Sequence, residues 1–131
     1  MTMPTRHIST SIARPFREVY EFASHPENLP RWAAGLTGAI SNIDGAWIAE
    51  SGLGKVRIQF AAPNEFGVLD HTVTLASGET FDNPMRTFRN GDGSEVVFTL
   101  FRRAEVDDEA FETDAAAIAR DLATLKALME S

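Results

Sequence analysis

The C-terminal end of the chain most constrains what it can fold into. From Asp107 onward, Phe111, Ala115, Ile118, Leu122, Leu125 and Met129 recur at alternating steps of four and three. That spacing predicts one amphipathic helix of roughly 23 residues, about 35 Å long, with a single apolar stripe. Asp107, Asp108 and Glu109 stand at its start, where the helix dipole favours anions. Ala115, Ala116 and Ala117 are small enough to let a neighbour pack closely. A stripe of this length needs a broad apolar partner, and most of the chain upstream of it reads as strand.

"RHISTSIAR", residues 6–14, sets Ile8, Thr10 and Ile12 against His7, Ser9 and Ser11, the two-residue period of a strand. Pro15 suits the start of a helix in which Phe16, Val19, Tyr20 and Ala23 share one face. His25-Pro26 ends that helix, because a residue before proline is pushed out of the helical region, and residues 28–32 form a second short turn. About six strands follow, separated by turn signals, of which Asp44-Gly45 is the strongest. Pro84 inside "TFDNPMRTFRN" requires a bulge or an unpaired edge position. The expected class is α+β. An antiparallel sheet wraps the long C-terminal helix, with two short helices after the first strand and a cavity where helix and sheet do not close.

Composition narrows the function. The 131 residues show no internal division and are read as one domain, 1–131. A net charge of −7 argues against nucleic acid and anionic lipid as partners. The one basic cluster, Arg86, Arg89, Arg102 and Arg103, is flanked by acids and reads as solvated strand ends. No apolar run approaches the roughly 20 residues of a membrane helix, and the N-terminal stretch lacks a signal-peptide core. Cysteine is absent, which fits a reducing cytoplasm and removes thiol chemistry. No metalloprotease, serine-hydrolase or phosphate-loop motif occurs, and His7, His25 and His71 lack metal-ligand spacing. No metal or cofactor is expected.

The N-terminal pattern "ISTSIARPFREVYEFASHPENLPRW", followed by strands and a terminal amphipathic helix, resembles the SRPBCC superfamily (START, polyketide cyclase and birch-allergen-like proteins), in particular its bacterial polyketide-cyclase-like members. The resemblance runs over essentially the whole chain. It implies a helix-grip fold, in which one seven-stranded antiparallel sheet grips the C-terminal helix around a hydrophobic pocket. It does not imply one activity, because members of that superfamily carry lipids, bind hormones, cyclise polyketides or regulate ATPases.

Within that frame one histidine stands out. In "GVLDHTVTL" (67–75), Leu69, His71, Val73 and Leu75 point one way and Asp70, Thr72 and Thr74 the other. The imidazole is thereby placed among aliphatic side chains, and Asp70 on the opposite face cannot serve it. In "SEVVFTLFRR" the apolar set Val96, Phe98 and Leu100 is expected inward. That parity puts Thr87, Met85, Asn83 and Phe81 on the same inner face. A bulge in the 76–79 turn would set His71 opposite Met85 and diagonal to Asn83.

The expected ligand-binding set is His71, Asn83, Tyr20, Trp32, Phe81, Met85 and Phe98. Each member also has a purely structural alternative. His71 is either a core histidine satisfied by one hydrogen bond or a ligand anchor and acid/base, the only candidate catalytic residue. Asn83 is either a bulge residue or the group that orients His71. Tyr20 is either a core aromatic or a pocket hydrogen-bonder. Trp32 reads as a rim residue that can touch a ligand. Phe81, Met85 and Phe98 are pocket wall or core. Asp114 and Asp121 on the long helix are expected beside the pocket.

Three functions remain open: binding of a small, mostly hydrophobic molecule, a polyketide cyclase/dehydratase-like reaction using His71, and a non-catalytic regulatory interaction domain. Val97, Phe101 and Phe88 on the outer sheet face offer a surface for a homodimer.

Overall fold

Turns and one proline decide how the strands are arranged in the computed structural model, which describes residues 1–131. Strand β1 (Thr5–Ile12) leads through Pro15 into helix α1 (Phe16–Ala23) and a 3-10 helix (Pro26–Arg31). Strands β2 (Leu36–Ile43), β3 (Ala46–Ser51), β4 (Gly54–Phe60), β5 (His71–Leu75), β6 (Thr80–Asn83), β7 (Met85–Asn90) and β8 (Gly93–Phe101) follow. Helix α2 (Asp108–Glu130) closes the chain. Asp44 and Gly45 both adopt positive φ, 53° and 87°, as a two-residue hairpin between β2 and β3 requires.

The expected single seven-stranded sheet is corrected to eight strands in two sheets, ordered β1-β8-β7 and β2-β3-β4-β5-β6. Pro84 is the reason. It has no N–H to give a ladder, and it splits the run 80–90 into β6, which pairs with β5, and β7, which pairs with β8. Across the seam the segment before β5 continues the pairing. Leu69 N–H donates to the Met85 carbonyl and Thr87 N–H to the Gly67 carbonyl, at 2.8 and 2.9 Å. The Met85 amide, next to the break, donates to the Asp70 carboxylate at 2.9 Å, and Arg86 pairs with that same carboxylate at 2.8 Å. Asp70 thus works as a seam clamp on the outer face.

The β5–β6 turn fixes a register that differs from the expected one. Its loop is Ala76–Gly78, with Gly78 at φ 91°, and Leu75 N–H donates to the Glu79 carbonyl. A three-residue loop with its last residue left-handed keeps odd positions opposite odd positions. His71 therefore lies directly opposite Asn83, and Val73 opposite Phe81. Met85 lies two residues further along, opposite Phe98 on β8.

Helix α2 begins where Asp107 accepts a hydrogen bond from Ala110 N–H at 2.8 Å. It packs along β1 and β8, burying Phe111, Ala115, Leu122 and Leu125. Fully burying a leucine contributes about 1.5–3 kcal/mol, so Leu122 and Leu125 anchor the helix. Helix α1 packs on β7 and β8 and inserts Val19 into the same core, while the 3-10 helix packs on β2. One close approach makes the α1 contact possible. Gly67, at φ 74°, lies so near β7 that a Cβ there would stand 1.9 Å from the Thr87 carbonyl oxygen.

Candidate functional site

A cavity of about 710 Å³ lies between the five-stranded sheet, the segment from Leu29 to Thr37, and the middle of α2. Its floor is the inner face of β4, β5 and β6, its end wall is Phe98 of β8, and α2 presents Ile118 and Asp121 to it. A larger groove of about 1070 Å³ runs between α1, residues 63–65 and the end of α2, but Arg14, Arg17, Glu18, Glu21 and Glu65 make it a solvated surface cleft. The smaller space has the apolar walls that a ligand cavity needs.

Of the expected residues, His71, Asn83, Trp32, Phe81 and Phe98 line this cavity. Tyr20 and Met85 do not. The Tyr20 hydroxyl accepts a hydrogen bond from Asn64 N–H at 2.9 Å and holds the loop before β5, on the far side of α1. Met85, 1% exposed, faces Leu69 and Phe98 within the core under α1. Tyr20 instead borders the surface cleft beside α1, while Met85 belongs to the core. Helix α1 covers the three-stranded sheet, so its buried face belongs to the filled part of the interior. Asp121, expected beside the pocket, also lines it. It is three positions after Ile118 and four before Leu125, at the edge of the apolar stripe, and the rotation of α2 brings it to the cavity wall. Asp114, one helical repeat earlier, is exposed.

His71 is held in one tautomer. Its Nδ1 lies 2.9 Å from the Leu69 carbonyl, an acceptor only, so Nδ1 carries the proton and donates it. The lone pair is left on Nε2. Burial pushes the imidazole below its ordinary pKa, against smaller opposing effects of the Leu69 carbonyl and the Asp70 charge. The ring stacks on Phe60 at 4.9 Å and meets the edge of Phe98 at 6.0 Å. At neutral pH it is thus a rigid, uncharged acceptor within an aromatic wall.

The other polar groups differ in kind. Asp121, half-buried, has its carboxyl pushed above the usual range by burial, partly offset by the Ala34 N–H that donates to it at 3.1 Å. The Trp32 indole N–H is buried and has no acceptor in the chain. Asn83 faces the cavity directly across from His71. Asp70, by contrast, is held below the usual carboxylate range by the Arg86 guanidinium. No carboxylate therefore backs the His71 ring, and an Asp–His dyad is not formed. No group of three or more His, Asp or Glu side chains comes together in a way that could hold a metal ion. No helix is long and apolar enough to cross a membrane.

No protein-family model matches the sequence, and no curated protein does. Solved structures do match the fold. Ara h 8.0201 aligns with a TM-score of 0.72 at 13% identity over 97% of each chain. The Aha1 dimer from Colwellia psychrerythraea aligns with a TM-score of 0.77 at 15% identity, over 98% of this chain and 97% of that one. DynU16, from the dynemicin biosynthetic locus, aligns with a TM-score of 0.72 at 12% identity, over 97% of this chain and 47% of its own. This is the helix-grip fold. At these identities the likeness establishes that architecture and nothing finer.

Proposed function

We propose that this chain, acting as one cytoplasmic domain, binds a small, mostly hydrophobic molecule in the cavity between the five-stranded sheet and α2. The observation that carries the reading is the state of the cavity walls. Val73, Leu75, Phe81 and Ile118 are apolar and face inward, yet all are only half-buried. Beside them stands an acceptor, His71 Nε2, that the chain itself does not pair. Apolar surface left open inside a fold is unfavourable by about 25 cal/mol per Å², and a bound apolar molecule removes that cost. The helix-grip likeness to Ara h 8.0201 agrees with a ligand-binding role.

The test is native mass spectrometry of the protein after incubation with an extract of its host cells. A retained small molecule, absent from a Val73→Trp variant that fills the cavity, is the expected result. An unliganded mass at every extract concentration sinks the reading.

The second reading is a polyketide cyclase/dehydratase-like enzyme in which His71 takes a proton next to a substrate carbonyl. The biosynthetic locus of DynU16 favours it. His71→Gln abolishing turnover of a polyketide-type substrate, with binding retained, would support this reading over simple binding. A regulatory domain that pairs through the outer sheet face is the third. It draws on the half-exposed Phe88 and on the dimeric Colwellia neighbour, and sedimentation of a Phe88→Glu variant tests it.

A further inference from the structure

The polar groups of the cavity are unbalanced in charge, and that imbalance narrows the occupant. Among the cavity's lining residues there is no lysine or arginine, and the one ionisable acid is Asp121. Arg103 stacks on the ring of the lining residue Phe81 at 4.4 Å. Its fork is already used: Arg103 donates to Glu79, to Glu105 and to the Thr80 carbonyl, at 3.0, 3.1 and 2.9 Å. Arg57 lies on the opposite face of β4 from Val56 and Ile58, and Arg120, beside Asp121, is exposed. A ligand carboxylate entering here meets no free cation.

One further group sets what the cavity can read. His71 Nε2, a fixed lone pair on a ring tied back to Leu69, can only accept, from a ligand's O–H or N–H. A hydroxyl or amide N–H on an apolar skeleton satisfies it without bringing a negative charge. A carboxylate leaves the His71 lone pair facing an anion and shares the cavity with Asp121, whose negative charge repels it.

Resting on the binding reading above, we infer that the cavity selects a mostly apolar compound bearing a hydrogen-bond donor such as a phenolic hydroxyl, and turns organic acids away. His71 is the acceptor for that donor, and Asp121 is the group that excludes the acid.

The experiment titrates three probes of one skeleton, naphthol, naphthalene and naphthoate, at neutral pH by nuclear magnetic resonance shift changes. Naphthol is expected to bind at least about tenfold more tightly than naphthoate, a difference of about 1.4 kcal/mol, with naphthalene between them. In His71→Phe the advantage of naphthol over naphthalene is expected to vanish. In Asp121→Asn the naphthol-to-naphthoate ratio is expected to fall. Naphthoate binding as well as naphthol overturns the inference, as does a ratio that neither variant moves. Naphthalene separates the two levels of failure. If it binds but the three probes are not discriminated, binding stands and selectivity falls. If none of the three binds, the binding reading fails and takes this inference with it.

Discussion

Helix α2 faces two sheets, and it meets them differently. Over the three-stranded sheet the interior is filled: Ile12, Val19, Leu69, Met85, Leu122 and Leu125 are all 2% exposed or less. Over the five-stranded sheet the inward positions are equally apolar and Ala49, Val56 and Ile58 are buried, yet Val73, Leu75 and Phe81 remain half-buried around open space. The difference lies in what the chain places between sheet and helix. Helix α1 and the close pass at Gly67 fill one side, while the other has only the 3-10 helix and the segment after it as a roof. Inward-facing apolar residues thus make core only where a further element supplies atoms to meet them. Where none does, the same pattern makes a cavity.

The widest gap between the two regions should appear on truncation. Leu125→Ala removes a side chain enclosed on every side and is expected to cost about 2–5 kcal/mol in urea unfolding. Val73→Ala removes one that borders open space and is expected to cost only about 1 kcal/mol. Equal losses would mean that the cavity is packed as tightly as the core, and the contrast would fail. Gly67→Ala comes next, at about 1–3 kcal/mol for the positive φ alone, before the clash with the Thr87 carbonyl is counted. Because that clash pushes β7 away from its neighbour, the filled region should loosen while the cavity walls keep their shifts.

How far each region could be read from sequence follows the range of the forces that shape it. The α2 stripe, the Asp44-Gly45 hairpin and the inward parity of Val96 and Phe98 depend on neighbours within a few residues, and all were legible. The split at Pro84 was half-legible. Proline announces a broken ladder, but only the partners on either side decide that β6 and β7 join different sheets. The cavity face of His71 was readable from alternation. Its pairing with Asn83 rather than the expected Met85 turned on the exact geometry of the 76–79 turn, which alternation does not set. The places of Tyr20 and Asp121 relative to the cavity stayed open for a common reason: which face of a helix meets a cavity depends on how the whole helix is docked. A small rotation of α2 would return Asp121 to solvent.

A pH titration separates the regions without cutting into either. The folded state favours neutral His71, so its folded pKa lies below the ordinary 6.5. A group depressed in this way contributes stability that is present above pH 6.5 and lost as pH falls toward the folded value. The melting temperature is therefore expected to drop on acidification through that window, and His71→Phe should flatten the drop. His7 and His25 are exposed, so a drop that survives in His71→Phe would place its source away from the cavity.

The smallest expected effect is the one most specific to the open region. Asp121 has its pKa raised by burial, so its stabilising contribution is present at low pH and lost as pH rises through the folded value. At neutral pH the charged carboxylate is a local cost, and Asp121→Asn should relieve it. The cavity mouth admits water and screens the charge, which keeps the gain under about 1 kcal/mol. The Ala34 N–H keeps an acceptor in the asparagine carbonyl, so the roof segment is not released. A gain at neutral pH that vanishes in acid is the expected signature, read by urea unfolding at the two pH values. A loss at neutral pH would mean that the Ala34 contact outweighs the buried charge. Asp121 would then be a strut of the cavity roof, and the wall would tolerate an anion better than its residues suggest.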